Sequence, residues 1–268
     1  MKDITIIIPV HKFDDNVKQM LENALESVSK NQENYIFGKL IPLIVAPNDV
    51  LESIGEVFGE TKFYQICRNN ENIDFCSQIN HAVYNKVETE FFSILEFDDI
   101  YTDNWFKMAH DYYYTNESVS VFLPINILTE TTHKQFQYLN ELAWSRSFSN
   151  EIGFLDFDCL QDYPSFNLTG GIFNTEDFKN IGGFKPSIKI AFNYELLLRL
   201  TKKEMKVYVV PKECYVHVIG REDSLSEQYS KEIKREDIKK WFELAKIECV
   251  FLEDRKTNIE GIKEEELK

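Results

Sequence analysis

The chain has 268 residues, which suits one α/β domain with elaborations or one domain with a small appendage. Apolar residues make up 43% and aromatic residues 14%, so the composition excludes a globally disordered chain. The net charge of −15 argues against a broad nucleic-acid footprint and against electrostatic docking on an anionic membrane. No apolar run approaches the roughly 20 residues that span a bilayer, so we expect no stable membrane insertion. Five scattered cysteines without a CxxC pair fit a cytoplasmic protein better than a disulfide framework or a zinc site.

Strands and helices alternate over the first hundred residues. Continuous apolar runs predict buried strands at residues 4–10, 40–46, 63–67 and 91–97. The spacing of apolar residues predicts one helix that begins near Asp14 and a second helix over residues 74–87. Pro42 favours an edge position or a late start for the second strand. This alternation predicts an α/β fold with a mostly parallel, doubly wound sheet and helices on both faces, whose ligands bind beyond the carboxyl ends of the strands.

The second half of the chain is less regular. Its predicted elements are a helix over 105–114, a strand over 118–127, an aromatic excursion over 129–166, a helix over 193–203 and a strand over 206–210. A loop is expected to lead from that last strand to His217. We expect one domain over 1–225, with a nucleotide-binding half (1–105) and an acceptor half (106–225), followed by a C-terminal helical extension over 226–268.

The segment LEFDDIYTDNW, residues 95–105, carries the strongest chemical signal. Asp98 and Asp99 follow a hydrophobic strand directly, and strand alternation points their side chains in different directions. One carboxylate can therefore reach a sugar or ribose hydroxyl while the other binds Mg²⁺ or Mn²⁺, which completes its shell with diphosphate oxygens and water. The structural alternative is an ordinary Asp-rich turn.

Five pieces of the sequence, taken in order, resemble glycosyltransferase family 2. They are ITIIIPVHKFDD, INHAV, ILEFDD with a following NW, TGGIF followed by GGF, and a late histidine after VYVVP. The resemblance covers roughly residues 3–225. It implies the nucleotide-sugar transferase fold called GT-A and transfer of a hexosyl or pentosyl group from a nucleotide diphosphate donor. The C-terminal helical extension is predicted from apolar spacing and lies outside the resemblance.

The resemblance also implies roles at the donor site. Asp99 is the expected metal ligand, and Asp98 is expected to contact the ribose or sugar or to share the metal. Glu96 stands where many members of the family carry a further Asp, and it is expected to reach the ribose. Pro9, Val10 and His11 match the loop after the first strand, where a side chain lies against the base.

Further donor contacts are expected from the rest of the chain. Asn80 matches an asparagine that hydrogen-bonds the loop holding the diphosphate. His217 resembles the histidine that closes over the diphosphate and metal, and imidazole is a reasonable third ligand. Arg221 offers a guanidinium fork to the same oxygens. Gly170 and Gly171 are expected to let the backbone approach the donor sugar, with an ordinary tight turn as the alternative.

The acceptor side carries one aromatic candidate. Trp105 is expected either to form the bottom of the acceptor site or to pack in the core.

The sequence departs from the family after the second strand. Many members have an Asp pair there that reads the base, whereas this chain has VAPND, with Ala46 and Pro47 in those places. Asn48 or Asp49 is the expected substitute. A UDP sugar is the first expectation for the donor, although this departure weakens it.

A second departure concerns the general base. The family usually has Glu-Asp before the late helix, and this chain reads AFNYELLLRL, which places Asn193 at the position of the catalytic Asp. Asn193 cannot take a proton, so Glu195 is the expected base. The alternative for Glu195 is a helix N-terminal acid favoured by the helix dipole. Three acids in the aromatic excursion are reserves: Asp156, Asp158 and Asp162.

The sequence therefore predicts an inverting glycosyltransferase that depends on Mn²⁺ or Mg²⁺. The alternative is a degenerate relative that binds a nucleotide or sugar without transfer. A nucleotidyltransferase is disfavoured because PVHKFDD lacks the glycines of a triphosphate loop. The sequence does not choose among a glycan, a protein and a modified nucleobase as acceptor, and it does not define the oligomeric state.

Overall fold

The computed structural model describes residues 1–59, 63–71, 73–116, 118–130, 136–149, 151–220 and 233–252. The strands are β1 (Ile4–Pro9), β2 (Leu40–Ala46), β3 (Gln65–Arg68), β4 (Phe91–Ile94), β5 (Ile100–Tyr101), β6 (Val119–Glu130), β7 (Phe136–Leu139), β8 (Phe154–Leu155), β9 (Ile172–Asn174) and β10 (Lys206–Ile219). The helices are α1 (Asp15–Asn34), α2 (Asn48–Phe58), α3 (Phe75–Asn85), α4 (Trp105–Thr115), α5 (Phe157–Asp162), α6 (Thr175–Asn180), α7 (Phe192–Lys202) and α8 (Arg235–Glu248), with a short 3₁₀ helix at Glu141–Trp144.

The sheet has the order β3-β2-β1-β4-β9-β6-β10-β5, and β7 and β8 pair with β6 and β10. The β3-β2-β1-β4 half is parallel, and β6 and β10 are also parallel to each other. Strand β9 joins these two parts by antiparallel pairing with β4 and β6. The predicted α/β class with a doubly wound sheet is confirmed, and the strands predicted in the first hundred residues are parallel as expected.

Pro42 does not place its strand at an edge, which corrects the expectation from sequence. Strand β2 lies between β1 and β3. Its register with β3 begins only at Leu43, opposite Gln65. Pro42 is therefore opposite Ile6 of β1 and has no partner in β3. Because proline lacks an N–H, it fits where one side of a strand is unpaired.

Strand β10 is longer than predicted, and it includes His217. It runs beside β6 as far as Ile219, with register shifts between Val209 and Glu213 and between Glu213 and Tyr215. These irregularities interrupt the regular pattern of strand side chains. The expected loop before His217 is thus part of a strand, which gives the imidazole a fixed place on the sheet.

The hydrophobic core has two parts, one on each face of the sheet. One contains apolar residues of α1 and α4, and the other contains residues of α3, α7 and α8. Helix α8 contributes Ala245 and Cys249 to the second part, and Phe242 lies 5.5 Å from Tyr194 between ring centroids. The helical extension thus shares a core with the sheet. Among the described residues, no helix combines the length and apolar content needed to cross a membrane.

Candidate functional site

A cleft of about 700 Å³ opens at the carboxyl ends of β1 and β4. Its floor comes from Pro9–His11, at the end of β1, and from Glu96–Asp98, which begin two residues after β4 ends. One wall is the start of α3, and another comes from the loop before α7 together with the end of β10. Helix α8 contributes Ile238. The cleft is therefore in the place where doubly wound sheets bind ligands.

Asp99 and His217 form the central contact beside this cleft. Asp99 is only 1% exposed, and its Oδ2 atom accepts a hydrogen bond from His217 Nδ1 at 2.7 Å. Its Oδ1 atom accepts from the Val218 N–H at 2.8 Å. The carboxylate thus anchors two consecutive residues of β10 to the segment between β4 and β5. Because Nδ1 of His217 is hydrogen-bonded to Asp99, the other ring nitrogen, Nε2, does not interact with this carboxylate.

The acidic segment controls the charge of His217. Burial lowers the pKa of this imidazole, but the charge and hydrogen bond of Asp99 outweigh burial, and Glu96 and Asp98 act in the same direction. Together they raise the pKa of His217 to about 9. The same arrangement favours any cation next to these carboxylates.

Glu96, Asp99 and His217 form a group that can hold a metal ion. One ligand atom from each residue lies within 4.8 Å of the others. Mg²⁺ and Mn²⁺ prefer sites whose ligands are all oxygen atoms. Two carboxylates and an imidazole can nevertheless bind a divalent cation, and the spacing of their ligand atoms allows it. Asp98 is outside this group and lines the cleft instead. The sequence suggested Asp98 as the second carboxylate of this group, whereas in the structure the second carboxylate is Glu96.

Gly170 and Gly171 approach protein atoms rather than the cleft, which corrects their expected role. Gly170 has φ of +79°, and a Cβ atom there would lie 2.6 Å from Cγ of Tyr215. The Tyr215 hydroxyl accepts a hydrogen bond from the Glu96 N–H at 3.2 Å. The missing side chain thus makes room for a buried tyrosine that positions the acidic segment. For Gly171, the Leu168 carbonyl oxygen would lie 2.8 Å from an added Cβ.

The end of β1 and the two residues after it line the cleft, and their contact with a base stays a prediction. Pro9, Val10 and His11 all line the cleft. The His11 ring is half-buried, with its centroid 5.5 Å from that of Phe97. The loop after β1 and the acidic segment after β4 therefore meet on the cleft floor.

Asn80 hydrogen-bonds a loop, but away from the cleft. Its amide donates to the Phe184 carbonyl oxygen at 2.8 Å and accepts from the Phe184 N–H at 2.9 Å. Gly183 has φ of +71°, and a Cβ atom there would lie 2.5 Å from Oδ1 of Asn80. The asparagine thus fixes the GGF turn against α3, and contact of this turn with a diphosphate stays a prediction.

Two other predicted contacts lie outside the cleft. Asp49 is exposed in the first turn of α2, which begins directly after Pro47 at its N-cap, and it does not line the cleft. Trp105 is fully buried at the start of α4. It therefore packs in the core, which was the alternative to an acceptor contact. Arg221 lies outside the described residues.

Glu195 has structural partners that argue against its expected role as the base. It is 0% exposed, and Arg199 donates to both its oxygens, at 2.9 Å and 2.8 Å. Lys185 Nζ lies 3.2 Å from Oε1. This carboxylate does not line the cleft, and two cations hold it inside the core. The reserve acids Asp156, Asp158 and Asp162 do not line the cleft either.

Asn193 does line the cleft, at the start of α7. Its Nδ2 donates to Oδ1 of Asn167 at 3.2 Å. Asn167 is held in turn by Asn140, whose Oδ1 accepts from the Asn167 N–H at 2.8 Å. A chain of amides thus fixes the side chain at the position where the family carries its base.

Sequence reasoning missed three residues that matter here. Tyr215 positions Glu96, whereas its sequence context reads as a loop. Asp74 caps α3 by accepting from the Ser77 N–H at 2.9 Å and also lines the cleft. Gln78 is buried on the same helix and lines the cleft as well. For Asp74 the D-x-x-S cap pattern was a usable signal, whereas no local pattern marks Gln78 or Tyr215.

No family model matches the sequence, and no curated protein is significantly similar to it. Several solved structures share its fold. S. aureus TarS 1-349 is 14% identical with a TM-score of 0.57, over 100% of this chain and 77% of that chain. The same protein in complex with UDP-GlcNAc is 15% identical with a TM-score of 0.58, over 100% of this chain and 78% of that one. A longer TarS structure gives a TM-score of 0.54 at 15% identity, with 99% of this chain and 46% of that chain covered. At these identities the similarity establishes the fold, which is the GT-A fold expected from the motifs.

Proposed function

We propose that this protein is a glycosyltransferase that uses a nucleoside diphosphate sugar. One observation carries the proposal: Asp99, after β4, holds His217 of β10 at the rim of a cleft that Glu96 and Asp98 also line. Acids and an imidazole thus gather at the carboxyl edge of the sheet, where a charged diphosphate would bind. The structural neighbours support this proposal, because TarS has been crystallised with UDP and with UDP-GlcNAc.

A divalent cation, Mn²⁺ or Mg²⁺, is part of the proposal. Glu96, Asp99 and His217 would hold it, since their ligand atoms already lie within 4.8 Å of one another. Bound there, the cation would supply positive charge that stabilises a departing diphosphate. Asp98 lines the cleft beside this group and would hydrogen-bond a ribose or sugar hydroxyl. Pro9–His11 would contact the base.

An inverting transfer also needs a carboxylate that deprotonates the acceptor hydroxyl. Among the described residues, the carboxylates that line the cleft are Asp74, Glu96 and Asp98. The last two belong to the acidic segment on the donor side. Asp74 lies on the α3 wall, and we assign it the role of base that Glu195 cannot fill from the core.

Donor binding without transfer is the second candidate function. The observation that favours it is Asn193, an amide at the position where the family carries its catalytic Asp. This candidate predicts that a nucleotide sugar binds but is neither transferred nor hydrolysed.

Thermal unfolding with added nucleotides tests the proposal. UDP, GDP, CDP and TDP are titrated with and without Mn²⁺, because a ligand that binds only the native state raises the Tm with its occupancy. We expect a Mn²⁺-dependent rise in Tm with one diphosphate, which Asp98→Asn weakens. The exposed neighbour substitution Asp103→Asn is the matched control. No rise with any diphosphate would overturn the donor site. Release of free diphosphate from the matching nucleotide sugar then separates transfer or hydrolysis from binding alone.

A further inference from the structure

Gln78 is a buried amide without partners at the wall of the cleft. The residue is 1% exposed and lies on α3, one helical turn after Asp74. Both Nε2 and Oε1 are shielded from solvent, and neither makes a hydrogen bond within the part of the chain that the structure describes. Burying both ends of an amide without partners costs folding free energy, so such a group calls for an explanation.

The protein pairs comparable amides elsewhere. Asn80, two residues later on the same helix, uses its donor and its acceptor on the main chain of Phe184. Asn140 is likewise held, by the Pro124 carbonyl oxygen and by both main-chain groups of Asn167. The unpaired state of Gln78 is therefore not a general feature of the buried amides.

Asn193 leaves a second unpaired amide atom in the same cleft. Its nitrogen is used by Asn167, whereas its Oδ1 is buried and accepts no hydrogen bond. Gln78 and Asn193 come from different helices, α3 and α7. Phe75 of α3 and Phe192 of α7 bring these helix starts together, with ring centroids 5.3 Å apart. The first turns of the two helices thus carry one unpaired donor group, Nε2 of Gln78, and two unpaired acceptors, Oε1 of Gln78 and Oδ1 of Asn193.

An amide pair of this kind suits an uncharged ligand group. A hydroxyl both donates and accepts, as does an acetamido group, so each can satisfy an amide donor and an amide acceptor together. An anionic group is less suited, because Asp74, Glu96 and Asp98 line the same cleft. The cationic side chains among its described lining residues are Lys189, which is exposed, and His217, which Asp99 holds.

We propose that Gln78, supported by Asn193, recognises an uncharged hydroxyl or acetamido substituent on the transferred sugar, so that the donor carries a neutral sugar rather than a uronic acid. This inference rests on the proposed function. It adds a residue that determines sugar specificity and restricts the class of donor. Selectivity arises because a site built around amide hydrogen bonds loses them when the ligand lacks the matching group.

Calorimetric titration of purified protein tests this inference with four probes: UDP, UDP-glucose, UDP-GlcNAc and UDP-glucuronic acid, all with Mn²⁺. The variant is Gln78→Met, which keeps an unbranched side chain of similar length and removes both polar ends. Asn85→Leu is the matched control, because it removes an exposed amide at the far end of α3. The Tm of each unliganded variant is measured in parallel.

We expect wild type to bind UDP-glucose or UDP-GlcNAc at least about tenfold more tightly than UDP-glucuronic acid. Gln78→Met should weaken the better neutral sugar nucleotide about tenfold and leave UDP affinity within about twofold. Its Tm should equal or exceed that of wild type, since an apolar group no longer buries unpaired polar atoms. Gain of stability with loss of sugar affinity distinguishes a ligand-binding amide from a structural one.

Other results would overturn the inference. Equal affinity of wild type and Gln78→Met for every sugar nucleotide would mean that the amide serves folding or a trapped water alone. Preference for UDP-glucuronic acid would exclude a neutral sugar. If Gln78→Met fails to fold, Gln78→Glu keeps the shape and one acceptor while adding a charge, and unchanged sugar affinity in that variant would also exclude the role. UDP binding without any effect of Gln78 refutes this inference alone. If the thermal titration selects another base, the corresponding probes with that base are used, and the proposed function is refuted with the inference only when none of the four diphosphates binds.

Discussion

His217 comes 118 positions after Asp99 in the chain, yet its Nδ1 atom lies 2.7 Å from the Asp99 carboxylate. The same carboxylate also accepts from the Val218 N–H. Asp99 directly precedes β5, and Ile100 of β5 pairs antiparallel with Val216 of β10, so this contact continues the β5–β10 pairing by one residue at the edge of the sheet. It gives the candidate cation site its third ligand, and it leads to the first prediction.

Asp99→Asn should weaken Mn²⁺-dependent nucleotide binding by about 10- to 100-fold, because residues that orient or supply metal ligands have effects of this size. Asparagine can still accept from Val218, so the protein should stay folded. The Mn²⁺-dependent rise in Tm with the preferred diphosphate measures the effect. Asp103→Asn, an exposed acid nearby, should behave like wild type. An unchanged Mn²⁺ response in Asp99→Asn would remove this residue from the metal site.

Glu195→Gln should act on stability rather than on chemistry. The substitution leaves Lys185 and Arg199 buried with less compensation, and breaking such a group costs about 3–5 kcal/mol. Urea unfolding measures the loss, with the exposed Glu176→Gln as control. Nucleotide affinity and turnover at low temperature should stay near those of wild type. A stable Glu195→Gln protein without turnover would instead return this carboxylate to the role of base.

Asp74→Asn tests the acid on the α3 wall. Asparagine caps helices about as well as aspartate, so the bond from the Ser77 N–H should persist and the Tm should change little. Turnover should fall by about 10²- to 10⁴-fold if the carboxylate takes the acceptor proton. Asp14→Asn at the N-cap of α1 is the matched control, since it makes the same change at a cap that does not line the cleft. Full turnover in Asp74→Asn would refute the assignment.

Gly170→Ala and Gly55→Ala should shift stability in opposite directions. An added methyl at Gly170 meets the Tyr215 ring and requires a positive φ, so we expect a loss of at least about 1–2 kcal/mol. Gly55 lies inside α2 with no atom within 4 Å of an added Cβ, so alanine should gain about 0.5–1 kcal/mol. Thermal or urea unfolding of the pair measures both effects. A stable Gly170→Ala protein would show that Tyr215 can move aside.

The elements that sequence predicted well are those with local signals. The run ITIIIPV gives β1, and the spacing from Val17 to Val28 gives the buried face of α1. The acidic segment was also found from local order, because two aspartates directly after an apolar run are visible in one window. The shared location of these features at one edge follows from the parallel topology.

The misjudged residues depend on contacts between distant parts of the chain. For Trp105 the sequence left an acceptor contact and core packing open, and the fold decides for the core. Glu195 reads as a free acid because Lys185 lies ten positions earlier, outside any helical spacing, although Arg199 at i+4 was a visible partner. The strand character of His217 was hidden because β10 is irregular between Val209 and Tyr215, which breaks the alternation that marks a strand.

Helix α8 has a consequence for the order in which the molecule is made. It supplies Ile238 to the cleft, and the Glu248 carbonyl oxygen receives a hydrogen bond from the buried Lys185 ammonium at 2.5 Å. Every strand and the other described helices precede it in the chain. A nascent chain that has emerged only as far as β10 therefore exposes Tyr194 and leaves Lys185 without this acceptor. During synthesis the cleft remains incomplete on one side until α8 leaves the ribosome, so the cleft wall and the core around Tyr194 are completed in the same late step.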